Sequence, residues 1–420
     1  MRIAMVSEHA SPLATLGGVD AGGQNVHVAQ LSAALVRRGH DVVVYTRRDD
    51  PELPESVVMP SGVEVVHLDA GPAETIPKDD LLPFMPALAD GLERAFLADR
   101  PDVVHAHFWM SGLAAADAVS RPSLKARGGR SPIPHVQTFH ALGQVKRRHQ
   151  GAQDTSPGER EYLEPSVGRS SDLVIATCSD EVFELRSMGV DADKIAIAPC
   201  GVDTAVFQPD GPVEERARPH RIATIGRLVP RKGHGLAISA LAQLVEEGRD
   251  VELLVVGGPA ADHLEDDETA RTLLALADEL GVADRVHLRG RLDQQELPRV
   301  LRSLDAVICA PWYEPFGIVP LEAMACAVPV VAATVGGLID TVVDGVTGRS
   351  VPPRDPEAIA SAVAGILDSP DTGAAFGRAG ASRARSRYSW DRIASRTASL
   401  YTNAVSASQG APTRAKGSVR

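Results

Sequence analysis

Apolar positions along this chain of 420 residues fall into short continuous runs separated by helical patterns. A first series occupies 3–6, 42–45, 63–68, 103–106, 135–139, 173–177 and 195–198. Runs of Val, Ile and Ala without polar alternation suit parallel strands covered on both faces. The clearest helix is 25–38, where Val28, Leu31 and Leu35 share a face and Gly39 can cap the C-terminus. A polar stretch over 209–219, broken by Pro and Gly, reads as a linker. A second series follows at 222–225, 251–256, 286–288, 306–309 and 329–333. The pattern predicts an α/β protein of two tandem doubly wound halves, with a ligand in the cleft between them. Its alternative is one large Rossmann enzyme with a cap domain. Boundaries are expected at 1–205 for the first domain, 206–220 for the linker and 221–387 for the second. Residues 388–405 carry Tyr388, Trp390, Ile393, Leu400 and Tyr401 at helical spacing. Residues 406–420, rich in Ser, Ala, Gly and basic side chains, are expected to be disordered.

Length supports two cores rather than one. The net charge of −12 opposes nucleic-acid binding, which needs a basic face. Local basic spots at 146–148 and at Arg227, Arg231 and Lys232 suit a small phosphorylated ligand instead. The N-terminus runs directly into a strand pattern with no secretory signal, and no apolar run approaches the roughly 18 residues of a membrane span. The expected location is the cytoplasm, with peripheral membrane association and the oligomeric state, a homodimer included, left open. Cys178, Cys200, Cys309 and Cys326 lie in apolar runs without metal-ligand spacing, and read as buried small hydrophobes.

The chemistry concentrates in 314–322, Glu-Pro-Phe-Gly-Ile-Val-Pro-Leu-Glu. A strand, a tight loop and a helix starting near Phe316 would place Glu314 at the mouth of a site and Glu322 about two turns into the helix. Free N–H groups at Phe316, Gly317 and Ile318 would suit a diphosphate. A capping carboxylate and a solvated one are the plain alternative. Near the N-terminus, 17–25 has four glycines within seven residues, ending in Gly22 and Gly23, whose backbone can approach a phosphate or sugar. The spacing is not that of a dinucleotide fingerprint, which argues against a dehydrogenase. Residues 225–233 place Arg227 and Lys232 between a strand and a helix, a sensible diphosphate clamp. His105, His107 and His140 close two predicted strands; His105 reads as a core residue, and His107 and His140 as cleft residues. Asp191 and Asp193 stand in a loop far from the clamp and read as structural, so no metal is called for.

Several of these segments, in the same order, resemble the retaining glycosyltransferases of family four. The resemblance implies the GT-B fold: two Rossmann-like domains facing a cleft, with the last helix crossing back to the first domain. It implies a hexosyltransferase using a nucleoside-diphosphate sugar as co-substrate, with no obligatory cofactor. It assigns Arg227 and Lys232 to the leaving diphosphate, Arg291 to the base, Glu314 to the donor sugar, Glu322 to the ribose and His140 to the sugar near the reacting carbon. In its first domain the chain is most similar to the D-inositol-3-phosphate glycosyltransferases of mycothiol biosynthesis, through His9-Ala-Ser-Pro-Leu, Asp20-Ala-Gly-Gly-Gln-Asn, Lys78 and the segment 105–112. That likeness implies an acceptor held by Asn25, Lys78, His107 and Phe108. The chain departs from it at Phe108 and Ala141, where a Tyr and a Thr would offer hydroxyls to a phosphate, and an acceptor Arg falls near 160–161 in uncertain register. The glycine-rich loop also resembles sucrose-phosphate synthases. Glucose or N-acetylglucosamine is the expected hexosyl group, and a small polyol or sugar phosphate the expected acceptor. The alternatives are a nucleotide-sugar epimerase and a catalytically silent nucleotide-sugar binder on the same fold.

Overall fold

The valine-rich runs become the strands of two sheets in a computed structural model that describes residues 1–13, 22–125 and 132–410. The chain divides into two compact units: Met1–Ala176, Val182–Ala198 and Ala394–Arg420 form the first, Thr177–Glu181 and Pro199–Ile393 the second.

The first unit holds β1 (Arg2–Val6), β2 (Asp41–Arg47), β3 (Ser56–Val58), β4 (Glu64–Leu68), β5 (Val103–His107), β6 (His135–Thr138), β7 (Leu173–Ala176) and β8 (Ile195–Ile197). Their order is β3-β4-β2-β1-β5-β6-β7-β8, with β3 antiparallel at one edge and the rest parallel. The order reverses between β1 and β5, where Met5 pairs with His105 and Val6 with Ala106. Such a switch point opens a crevice at the C-terminal strand ends. The Gly23–Arg37 helix follows β1. Its end is fixed as expected: Gly39 takes φ +81°, its N–H reaches the Val36 carbonyl and the His40 N–H reaches that of Leu35, the paired bonds of a Schellman turn.

The second unit holds β9 (His220–Ile225), β10 (Val251–Val256), β11 (Val286–Gly290), β12 (Ala306–Cys309), β13 (Val330–Ala333) and β14 (Gly348–Val351), all parallel in the order β11-β10-β9-β12-β13-β14. Its switch point lies between β9 and β12. Leu253, Val255, Ile308 and Val331 from the central strands pack with Ile238 and Leu241 of the His234–Glu246 helix and with Ile359 and Val363 of the Pro356–Leu367 helix.

The stretch 209–219 is bound to the second unit rather than free. Glu214 pairs with Arg221 at 3.1 Å and with Arg289 at 2.6 Å, and Arg302 Nε donates to the Pro212 carbonyl at 2.8 Å. The final helix runs from Trp390 to Gly410, and its residues from Ala394 onward group with the first unit. Residues 406–410, expected to be disordered, are its last turn; a helix already formed propagates at one hydrogen bond per residue. Residues 411–420 and 14–21 lie outside the described residues, the latter taking most of the glycine-rich loop with them.

Candidate active site

In the second unit, two loops leave the switch point and meet. The first follows β9 through Arg227, exposed, and a short turn at Pro230–Lys232 into the His234–Glu246 helix. The second follows β12 through Pro311 and Glu314 to the Ile318–Ala325 helix. The Trp312 N–H donates to the Arg231 carbonyl at 2.9 Å, and Arg231 Nη1 donates to the Tyr313 carbonyl at 3.4 Å. The Lys232 ammonium donates to the Glu314 carboxylate across the same gap. Burial alone would raise the Glu314 carboxyl, but Lys232, Arg231 and Arg227 outweigh it and hold it below the ordinary range. The space enclosed beside this pair, lined by Thr224, Lys232, Cys309, Glu314, Gly317 and Val319, is about 30 Å³, the scale of a water molecule.

The helix begins at Ile318 with Gly317 as its cap, so Phe316 lies just outside it. Gly317 has φ +76°, a conformation that favours glycine. Pro320 occupies the first turn, where its missing N–H removes no helical bond, and the Ile318 and Val319 N–H groups remain at the end. Glu322 is the fifth residue of this helix, little more than one turn in rather than two, because the start lies two residues later than the sequence pattern suggests. Burial pushes its carboxyl up to about 7. Arg291, exposed, follows β11, and its N–H donates to the Pro259 carbonyl at 2.9 Å.

In the first unit the C-terminal ends of β1, β5 and β6 bring a group of histidines together. His107 Nδ1 lies 2.9 Å from His140 Nε2, and the His27 ring packs edge-on against His140 with centroids 5.0 Å apart. His105, fully buried, bonds Tyr401 of the final helix at 2.6 Å and Thr138 at 2.9 Å; it is a core residue bonded to side chains rather than to backbone. Burial lowers the pKa of His27 to about 4 and drives His105, His107 and His140 well below the usual imidazole range. Phe108 and His140 both take positive φ, +81° and +61°, a conformation uncommon outside glycine that concentrates at functional sites.

Gly22 caps the Gly23–Arg37 helix, and its N–H donates to Asn25 Oδ1 at 3.0 Å. Asn25 Nδ2 donates to the Ser11 carbonyl at 3.0 Å, and the side chain is buried, so it braces the loop ends. The Phe108 ring packs edge-on against His9 and lies under the Arg160 guanidinium, 5.0 Å from its carbon. Arg160 also donates to the Ala141 carbonyl at 2.6 Å and pairs with Glu164 at 2.7 Å. Lys78 lies 3.8 Å from Asp79, which Lys146 approaches to 3.7 Å while pairing with Asp154 at 2.9 Å.

Three comparisons bear on this arrangement. The model described as Glycosyltransferase Family 4 matches residues 21–206, and that described as Glycosyl transferases group 1 matches residues 211–383. Over 96% of its length the chain is 36% identical to the D-inositol 3-phosphate glycosyltransferase of Streptomyces scabiei, covering 91% of that protein. It is 37% identical to the enzyme of the same name from Xylanimonas cellulosilytica, covering 97% of it. This chain is a family-four, group 1 glycosyltransferase. The sucrose-phosphate synthase of Thermosynechococcus elongatus superposes with a TM-score of 0.83 at 30% identity, covering 97% of this chain and 99% of that one. Anabaena HepE, in complex with UDP and glucose, superposes with a TM-score of 0.71 at 20% identity, a likeness of fold. The glycosyltransferase therefore has the GT-B fold and is a hexosyltransferase that uses a nucleotide sugar. Among the described residues no helix is long and apolar enough to cross a membrane.

Of the residues singled out in the sequence, the structure brings Lys232 together with Glu314, and His107 with His140; sequence reasoning did not pair them. It also missed residues that hold the glycosyltransferase's site from behind. His234, buried, donates from Nε2 to the Arg227 carbonyl at 3.0 Å and bonds Thr224 at 3.1 Å through Nδ1. Arg160 and Glu164 stand at period-four spacing on one helix, the signal by which their ion pair could have been found. His27 had no signal of its own, being one polar position on the apolar face of its helix.

Proposed function

We propose that this enzyme is a retaining glycosyltransferase that moves glucose or N-acetylglucosamine from a UDP-sugar to a small polyol or sugar phosphate. The observation that carries the reading is the Lys232–Glu314 pair, which joins the two loops of the second unit's switch point beside a helix N-terminus. A diphosphate arriving there would take Lys232 as its counter-ion. Glu314, kept ionised by Arg227 and Arg231 as well as Lys232, would then turn its carboxylate to the sugar hydroxyls. Arg227, Lys232 and the Ile318 and Val319 N–H groups would stabilise charge growing on the leaving diphosphate. Glu322 would accept from the ribose, Phe316 and Gly317 would shape the loop, and Arg291 would meet the base. In the first unit, Gly22 and Gly23 would approach the donor, and His140 the sugar near the reacting carbon.

For the acceptor, Lys78, Lys146 and Arg160 offer cations, with Asn25, His107 and Phe108 around them. Burial opposes it, yet the Thr155 hydroxyl with Lys78, Lys146 and Arg160 holds the Asp79 carboxyl below its ordinary range, which marks the cluster as locally positive. Phe108 and Ala141 present no hydroxyl, so an anionic acceptor would be met by charge more than by neutral donors. Retention is inferred from the family resemblance; the leaving diphosphate itself would help deprotonate the acceptor.

The test is nucleotide release from UDP-glucose, UDP-N-acetylglucosamine and GDP-mannose, each with and without a panel of sugar phosphates and polyols. Acceptor-dependent release from one UDP-sugar, with the α-linkage kept in the product, supports the reading. Isomerised donor without acceptor would identify an epimerase, and tight nucleotide binding without turnover a silent binder.

A further inference from the structure

We propose that His107, backed by Met5, is a positioning residue that fixes His140 in a single tautomer, with its proton on Nε2 and a bare lone pair on Nδ1. His140 would then serve as a hydrogen-bond acceptor for a substrate hydroxyl. The use made of that lone pair rests on the reading of His140 as a sugar-facing residue; the tautomer itself does not.

His107 and Met5 are both fully buried. His107 Nε2 lies 3.3 Å from Met5 Sδ, and its Nδ1 lies 2.9 Å from His140 Nε2. A thioether sulfur accepts hydrogen bonds and never donates. Were the His107 proton on Nδ1, the Nε2 lone pair would face sulfur lone pairs in a dry site. With the proton on Nε2, His107 donates to the sulfur, its Nδ1 accepts, and His140 Nε2 must be the donor. A second proton on His107 would bury a cation whose ring centroid is 4.1 Å from that of His105 and 5.2 Å from that of His140, with no carboxylate among the described residues bonded to any of the three. The same reasoning fixes His105. Thr138 Oγ1 donates to the Ile175 carbonyl at 3.3 Å, so it accepts from His105 Nε2, and the Tyr401 hydroxyl donates to Nδ1.

His140 Nδ1 makes no hydrogen bond among the described residues. The left-handed backbone at His140 and the edge of the His27 ring hold the imidazole against His107. A bare imidazole nitrogen attracts a hydroxyl and repels a carboxylate oxygen. The substrate group that meets it is therefore a neutral alcohol, and a uronate presenting an anion at that point is excluded.

The test uses the full chain labelled with ¹⁵N-histidine and a long-range proton–nitrogen correlation spectrum near neutral pH, with His140 signals assigned by their loss in His140→Gln. The expected wild-type pattern is a protonated Nε2 and an unprotonated Nδ1. Met5→Leu keeps the volume and removes the acceptor; it should mix the two His140 tautomers and lower kcat roughly three- to tenfold with little change in KM for the acceptor. A proton on Nδ1 of His140 in the wild type, or an unchanged His140 pattern in Met5→Leu, would overturn the proposal. Unchanged transfer by His140→Gln beside the expected wild-type spectrum would instead overturn the sugar-facing reading and leave the tautomer lock standing.

Discussion

Lys232 pairs with Glu314, and under the proposed function the same ammonium would also meet an incoming diphosphate. Replacing Lys232 by Ala should lower kcat about 10²- to 10³-fold, the usual effect of removing one preorganised stabiliser of transition-state charge, and thermal melting should show the fold intact. Glu322 behaves differently, since its carboxyl titrates near 7 while an unfolded glutamate titrates near its ordinary value. Between those two values the folded protein binds more protons than the unfolded chain, so this residue makes stability fall as pH rises through that window. Glu322→Gln should remove that decline, amounting to about 3 kcal/mol by pH 8, measurable as a smaller drop in Tm between pH 5 and pH 8. The same titration predicts that donor KM rises as pH falls below about 7 in the wild type and loses that dependence in the Gln variant. At this scale the two glutamates and the Arg–Lys loop stood out by residue type and spacing, but only the family resemblance weighed them above a capping or solvated carboxylate and a surface Arg–Lys pair. The pairing of Lys232 with Glu314 was not legible, because the two are 82 positions apart and meet only through the sheet order.

At the scale of elements, the loop after β12 owes its path to close backbone approach. Gly337 donates to the Glu314 carbonyl at 2.9 Å, and a Cβ on Gly336, whose φ is +47°, would stand 2.1 Å from that same oxygen. Gly336→Ala should push the Glu314 loop out, cutting turnover at least tenfold and lowering stability by about 1–3 kcal/mol, as followed by activity and Tm together. The long parallel strands were readable because they are buried on both faces and carry uninterrupted apolar runs. The β3 and β14 strands were not. Ser56–Val58 is a short, largely exposed edge, and Gly348–Val351 carries a Gly, an Arg and a Ser among its four residues, so neither shows a run or an alternation. The stretch 209–219 misled for the opposite reason. Its composition is that of a tether, yet Glu214 ties it to Arg221 and Arg289.

At the scale of the whole molecule, the first unit is completed by the last described helix. Tyr401 is fully buried there, and its hydroxyl is hydrogen-bonded to His105. Tyr401→Phe leaves a buried imidazole nitrogen without a partner and should destabilise by about 1–3 kcal/mol, seen as a lower Tm with donor binding retained. Ending the chain at Ile393 should do far more, since it uncovers the surface that the helix from Ala394 onward occupies, and the expected outcome is insoluble protein on expression. This closing helix was legible in its aromatic spacing, but which side chain it would meet was not, since His105 carries no mark of a partner 296 positions away.

The placement of that helix also sets a timetable. On the ribosome the segments up to Ala198 emerge first, but the piece beginning at Ala394 follows only after the whole of Pro199–Ile393 has been made. At roughly 5–20 residues per second, the nascent first unit waits some tens of seconds with His105 lacking its tyrosine and an apolar flank uncovered. The second unit's main segment is continuous and can finish before it, so the later-synthesised half of the enzyme can fold first. Any factor that shelters the nascent chain has its longest task at the N-terminal half.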